Sequence, residues 1–325
     1  MITTEFKSIL ELFEVFATEQ DCIDHLERLR WNGNVVSPFD PTSKVYKCKD
    51  NKYRCKNTGK YFNVKTNTLF DSSNVPLRKW FAAIWLITCH KKGISSLQLS
   101  RDIDVTQKTA WFMLQRIRNC FGIENNNNLS NTVELDETYV GGKNKNRHAD
   151  KKVEFSQGRS TKDKTPVFGM VERKGKLNAK VVSDTSCETL TKETVKYVKD
   201  ALVCTDEWWG YNSIKKLFRH SIVNHKCKEY VRDNIYTNTI EGFWSLLKRG
   251  IIGIYHFTSK QHLQKYVDEF VFRYNTRNYS ECGKFNLLLQ VPCAERQYEW
   301  KSTLKTSHIF RFCAKMTQTK LWQPF

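Results

Sequence analysis

The chain has 325 residues, 40% of them hydrophobic and 13% aromatic, enough for two or three compact domains with real cores. Lys and Arg number 53 against 34 Asp and Glu, a formal charge of +19. An excess that large, with Trp, Tyr and Phe interleaved, points to a polyanionic partner, of which nucleic acid is the usual one. No run approaches the roughly 18 apolar residues of a membrane span, so no membrane partner is expected. The eleven cysteines are scattered, with no CxxC pair, and no signal peptide opens the chain. That usage fits a reduced, cytoplasmic compartment rather than a disulfide scaffold.

Residues 1–30 read as N-terminal helices. Phe6, Ile9, Leu10, Phe13 and Phe16 fall at helical spacing, and Thr18 can cap a second helix carrying Cys22, Ile23, Leu26 and Leu29. Residues 31–75 read as a ribbon-like module, with short β-type runs at 44–48, 52–55 and 61–64. So small a module often needs a staple such as zinc. Cys48 and Cys55 are candidate ligands, but a ribbon site takes four in two close pairs, so zinc is not expected.

Residues 76–122 read as three helices. Pro76 starts the first, Ser95 with Gln98 caps the second, and Thr106 caps the third, which carries Ala110, Met113, Leu114 and Ile117. Helix, short turn, helix is the pattern of a helix-turn-helix DNA-binding region, a pattern shared by three-helix bundles that never meet DNA. The charge of the chain favours DNA. Gln107, Lys108 and Thr109 then stand at the end of the third helix that meets base edges. Phe121 to Ser130, with four consecutive asparagines at 125–128, reads as a polar linker and marks a domain boundary.

From 131 to 280 the pattern is α/β. A strand spans Val133–Val140, and a loop from 141 to 164 carries Lys/Arg at 143, 145, 147, 151, 152, 159, 162 and 164 against acids at 150, 154 and 163. That loop is either a solvated surface or a phosphate-contacting arm. Strands follow at Pro166–Glu172 and Ala179–Ser183, then a helix from Glu188 to Asp200, a strand from Ala201 to Asp206 and a short one at His220–Asn224. A helix over Ile240–Arg249 follows, with Gly250 and Gly253 expected to break it. A long helix capped by Thr258 completes the domain, and residues 281–325 read as a C-terminal tail.

Asp136 sits mid-strand, Asp206 ends a later strand, and Glu241 lies one turn into a helix. Each alone has a bland reading, as a helix cap or a dipole partner. Three acids converging on a basic chain would repel unless cations stood between them. Oxygen ligands suit Mg²⁺ or Mn²⁺, and two such ions about 3.5–4 Å apart perform in-line displacement at phosphate. Glu137 reads as a supporting neighbour. Lys248 follows Glu241 by two turns and Trp244 by about one, which would align an acid, an aromatic platform and a cation for a phosphate and an unstacked base. Core packing is the competing reading for Trp244.

The motifs Asp136-Glu137-Thr138-Tyr139-Val140-Gly141-Gly142-Lys143, Thr205-Asp206 and Asn238-Thr239-Ile240-Glu241-Gly242-Phe243-Trp244-Ser245-Leu246-Leu247-Lys248-Arg249-Gly250 resemble a DDE transposase. The similarity is to the bacterial insertion-sequence group related to Merlin transposons, and it extends through Tyr255-His256 and Phe272-Arg273-Tyr274-Asn275. It implies an α/β, RNase H-like (integrase-type) mixed sheet with flanking helices, preceded by an α+β ribbon and a helix-turn-helix. It implies cutting and joining of transposon ends with Mg²⁺, catalysed by Asp136, Asp206 and Glu241, with Asn238 as the alternative to Glu241. It further implies DNA contacts by Lys143, Lys248 and Arg249, and a homo-oligomer acting on double-stranded terminal inverted repeats and target DNA. The family usually carries a zinc ribbon. Here Ser37, Asp40 and Thr58 stand where cysteines are expected, leaving Cys55.

Overall fold

The computed structural model describes residues 5–141, 148–154, 160, 162–223 and 236–291. All of these lie in one compact unit, Met1–Cys293. Two helices open it, α1 (Ile9–Val15) and α2 (Glu19–Trp31). Thr18 caps α2 as expected, in a reciprocal capping box with Asp21.

A small antiparallel sheet follows, built from β1 (Val45–Lys47), β2 (Tyr53–Cys55) and β3 (Tyr61–Phe62). Its buried side is aromatic, with Tyr53 stacked on Phe62 at 5.7 Å and Trp31 set edge-on to both. Burial pushes the Cys55 thiol up, but the hydroxyls of Ser37, Ser43 and Thr58 hydrogen-bond to it and hold it down at about 6. Asp40 takes a different part. Its carboxylate accepts from Thr42 and from Asn57.

Three helices come next: α3 (Leu77–Cys89), α4 (Ser96–Asp102) and α5 (Gln107–Phe121). Ser95 and Thr106 cap α4 and α5 by accepting from the amides of Gln98 and Thr109. Trp80, Phe81, Ile84, Met113, Leu114 and Ile117 are buried in a core that also takes in Phe285 and Leu288. Those last two belong to α9 (Glu281–Gln290), which replaces the first part of the expected tail. Its signal was legible: Ser280 caps it, and Cys282, Phe285, Leu288 and Leu289 recur at helical spacing.

The main sheet comprises β4 (Leu129–Val140), β5 (Thr165–Glu172), β6 (Leu177–Val181), β7 (Val198–Thr205) and β8 (Arg219–Ile222), in the order β6-β5-β4-β7-β8. The first three pair antiparallel, whereas β7 runs parallel to β4 and β8 parallel to β7. One face is covered by α6 (Cys187–Tyr197), over Val133, Leu135, Phe168 and Met170. The opposite face packs Val167, Val171 and Ala179 against α7 (Asn238–Gly250) and α8 (Leu263–Asn275). Helices on both faces make a three-layer α/β arrangement.

Three expectations need correction. Asn125 and Asn127 are not part of a solvated linker. Asn125 is fully buried and bonds both the amide and the carbonyl of Ala179, while Asn127 bonds Asn178. Carboxamides can imitate a backbone, and here they seam the α5 exit to the edge strand β6. Gly250 does not break α7 but closes it. A Cβ there would lie 2.1 Å from Phe270, so glycine admits close approach of α8, and the chain continues as a π-helical turn, Ile251–Tyr255. Finally, α8 starts at Leu263 after His262, with no side-chain cap, rather than at Thr258.

Candidate active site

Successive side chains of β4 alternate between the two faces of the sheet. Val133 and Leu135 therefore enter the core under α6, and Glu137 follows them: Tyr211 donates to its Oε2 at 2.6 Å. Glu134 and Asp136 face the other way, towards α7. Trp244 of α7 donates its indole N–H to Asp136 Oδ2 at 3.0 Å.

That contact depends on the neighbouring strand. Asp136 pairs with Gly169 of β5, and a Cβ at 169 would fall 2.5 Å from the Trp244 ring. The glycine leaves room for the indole to lie on the strand and reach the carboxylate. Trp244 is only 4% exposed. The expected base-stacking platform is thus corrected: the ring is core, and its polar edge is spent on Asp136. Amphipathic spacing could have shown this, because Ile240, Phe243, Trp244 and Leu247 form the buried stripe of α7.

Asp206 arrives on the adjacent strand. The last registered pair of the parallel β4–β7 ladder is Glu134 with Cys204, so Asp136 and Asp206 each lie two residues further along. Asp206 turns back to accept from the Trp208 amide at 3.0 Å, and Thr205 beside it contacts His220 Nε2 at 2.9 Å. Burial, then the charges of Glu137 and Asp206, push Asp136 up from an ordinary value near 3.8 to about 8, against the pull of the Trp244 hydrogen bond. Tyr211 is driven upward by burial and by the same carboxylates.

Glu241 lies on the exposed side of α7, where Thr237 Oγ1 donates to its Oε1 at 3.1 Å. Asn238, Ser245, Lys248 and Arg249 are exposed on the same helix. The structure therefore brings Asp136 and Asp206 together and sets Glu241 on the helix that Asp136 touches. Among the described residues, no group of three or more His, Cys, Asp or Glu side chains is gathered as a metal site.

On α5, Gln107 and Lys108 are exposed at the helix start, and Gln107 donates to Ser96 on α4 at 3.5 Å. Thr109 is half-buried, its hydroxyl 2.9 Å from that of Thr106. The same helix exposes Trp111 and Phe112, which the sequence reading passed over. They were visible as an aromatic pair outside the apolar stripe of Ala110, Met113 and Leu114. Lys143 lies outside the described residues. Among those described, no helix is long and apolar enough to cross a membrane.

Residues 128–275, which hold β4 through α8 and all three acids, match the family model of the ISXO2-like transposase domain. This segment is similar to ISXO2-like transposase domains. A relative from Halobacterium salinarum, described as an uncharacterized protein in transposable element ISH50, is 29% identical over 277 residues, covering 80% of this chain and 92% of its own. That similarity is longer than the segment 128–275. A crystal structure of the Mos1 strand transfer complex is similar at 10% identity over 65% of this chain and 74% of its own, with a TM-score of 0.28. At that score the strand order described above, rather than the likeness, defines the fold of this segment.

Proposed function

We propose that the chain is a DNA transposase that cuts and joins transposon ends by metal-dependent phosphoryl transfer, hydrolysis followed by attack of a 3′-hydroxyl. The observation that carries this reading is the placement of Asp136 on β4 and of Asp206 just past the end of the parallel neighbour β7, each two residues beyond their last registered pair, with Asp136 half-buried beside like charge. An antiparallel trio followed by two parallel strands, with acids on the central strand and its parallel neighbour, supports an RNase H-like sheet.

The residues fit a divalent cation. Asp136 carries a charge that burial, Glu137 and Asp206 all oppose, and a cation at this end of the sheet would offset that repulsion. Asp136 and Asp206 would hold it, with Glu241 presented from α7. All donors are carboxylate oxygens, which suit Mg²⁺ or Mn²⁺. When bound, such ions supply Lewis acidity for in-line displacement at phosphorus.

The chain's own residues do the rest. Trp244 fixes the orientation of Asp136 through its indole N–H. Thr237 holds Glu241. Lys248 and Arg249, exposed about two turns beyond Glu241, bring positive charge to the phosphates flanking the cut, and Lys143 is the further DNA contact proposed from the sequence. Gln107, Lys108 and Thr109 meet base edges of the terminal repeat. Because two transposon ends must be handled together, the active form is a homo-oligomer on DNA.

The test uses the full chain with labelled end DNA and Mg²⁺. The wild type nicks at the transposon boundary and joins the end to target DNA, while Asp136→Ala and Asp206→Ala bind but do not cut. Cleavage by Asp136→Ala at the wild-type rate would overturn the proposal.

A further inference from the structure

We propose that Glu134 is a positioning residue that sets the height and angle of α7, and hence of Glu241, against the strand carrying Asp136. The inference rests on the transposase reading above and deepens it. Glu134 is fully buried in the middle of β4. Its carboxylate accepts four hydrogen bonds. Oε1 takes Arg173 Nε at 2.9 Å and the Thr239 hydroxyl at 2.9 Å; Oε2 takes the backbone amides of Thr239 at 2.9 Å and Ile240 at 3.1 Å. A carboxylate with both oxygens doubly engaged is locked in position.

Two of those donors are orphan amides of the first turn of α7. They are the groups a residue at the N-cap ordinarily satisfies. In α7 the N-cap residue is Thr237, and its side chain makes no cap bond. Its hydroxyl is turned to Glu241 instead. Glu134 takes over the capping from a strand more than one hundred residues upstream, and Thr237 is left to orient the acid.

The same strand is tied to the same helix a second time, through Asp136 and Trp244. Glu134 and Asp136 are two residues apart on one face. Their contacts on α7 fall at 239–240 and at 244, and Glu241 lies between them. Arg173 completes the device: it neutralises Glu134, bonds the Tyr236 carbonyl at 2.8 Å and lies 3.6 Å from the centre of the Tyr236 ring, so the segment entering α7 is held by the same pair. The arrangement fixes the separation of Asp136 and Glu241 without either acid bonding the other.

Glu134→Gln keeps the shape and replaces one acceptor with a donor facing N–H groups. Two measurements on the full-length variant read the effect. Amide hydrogen exchange at Thr239 and Ile240 is expected to speed up about 10–100-fold, the consequence of losing a charged acceptor, with β5 and α8 unchanged. The cleavage rate at saturating end DNA is expected to fall about 10–100-fold, as when groups supporting a ligand shell are removed, with a raised half-saturating Mg²⁺ concentration and unchanged end-DNA affinity. Thr239→Val, which removes one donor and keeps the amide, is the gentler variant should Glu134→Gln fail to fold, and it shifts the same readouts in the same direction.

Unchanged exchange at 239–240 overturns the proposal whatever the cleavage rate. So does a rate loss matched by equal losses of DNA affinity and melting temperature, which would mark a role in stability alone. A wild-type protein that never cuts transposon ends defeats the transposase reading instead, and the exchange measurement still decides the role of Glu134.

Discussion

Two carboxylates of the segment 128–275, Glu269 and Asp136, show how differently the same chemical group can be housed. Glu269 on α8 is fully buried, with Arg118 Nε at 2.6 Å and an Arg273 nitrogen at 2.7 Å, and Tyr255 also donates to it. Arg118 in turn lies over the rings of Tyr266 and Tyr255 at 4.2 and 4.9 Å. Burial raises the Glu269 carboxyl, but Arg273, Arg118 and the hydrogen bonds more than reverse this and hold it below its ordinary value. Among the described residues no cation pairs with Asp136. Burial raises it, and Glu137 and Asp206 raise it further, to about 8. Burial is common to both; the sign of the neighbours decides. Glu269 is neutralised by its own chain and fastens α5 to α8, whereas the neighbours of Asp136 oppose its charge, an arrangement that suits a cation from solution.

The largest expected effect tests the first half of that contrast. Glu269→Ala leaves the Arg118 guanidinium buried without its carboxylate and should cost about 3–5 kcal/mol in chemical denaturation. Its stabilising contribution has a definite pH dependence. Because the folded carboxyl is depressed, the contribution is present above the ordinary value near 4.5 and is lost as pH falls below it. The wild type should therefore lose more stability on acidification than Glu269→Gln does.

Asp136→Asn should do the reverse. With its folded value raised from about 3.8 to about 8, Asp136 contributes fully at pH below about 4 and loses that contribution as pH rises to about 8. In metal-free buffer the Asn variant should be as stable as wild type near pH 4 and more stable near pH 8, by about 1–4 kcal/mol, the range for relieving uncompensated buried charge. Mg²⁺ should raise the wild-type melting temperature and leave the variant unmoved. Equal melting of the two proteins at all pH values would remove the contrast with Glu269.

Trp244→Phe is the subtlest change. It deletes the indole N–H and keeps the ring over Gly169, costing about 1 kcal/mol in stability. The lost bond is one that lowers Asp136, so the pH at which end cleavage is half-maximal should move upward. An unshifted pH–rate profile would separate Trp244 from the chemistry.

Local physics made much of this legible in sequence. Thr18, Ser95 and Thr106 announce their helices because a hydroxyl before an apolar period satisfies amides that the helix cannot. The five strands of the main sheet were readable as apolar runs between turns, with edges shifted by a few residues. Where the reading failed, long-range partners had intervened. Asn125 looks solvated until β6 supplies the backbone it bonds. Gly250 looks like a helix breaker until Phe270 is seen against it.

The candidate site divides along the same line. That Asp136, Asp206 and Glu241 are the acids to watch follows from their placement in a basic α/β chain, since a charge set in an apolar strand needs a partner. The sequence alone also determined that Asp136 and Glu137 face opposite sides, because strand side chains alternate. Only the tertiary structure decided that Trp244 bonds Asp136 through the gap at Gly169, and that Glu134, a residue with no distinguishing mark in sequence, caps the helix bearing Glu241. Strand register and the packing of α7 on the sheet set those contacts, and they join residues more than one hundred positions apart, where no local pattern reaches.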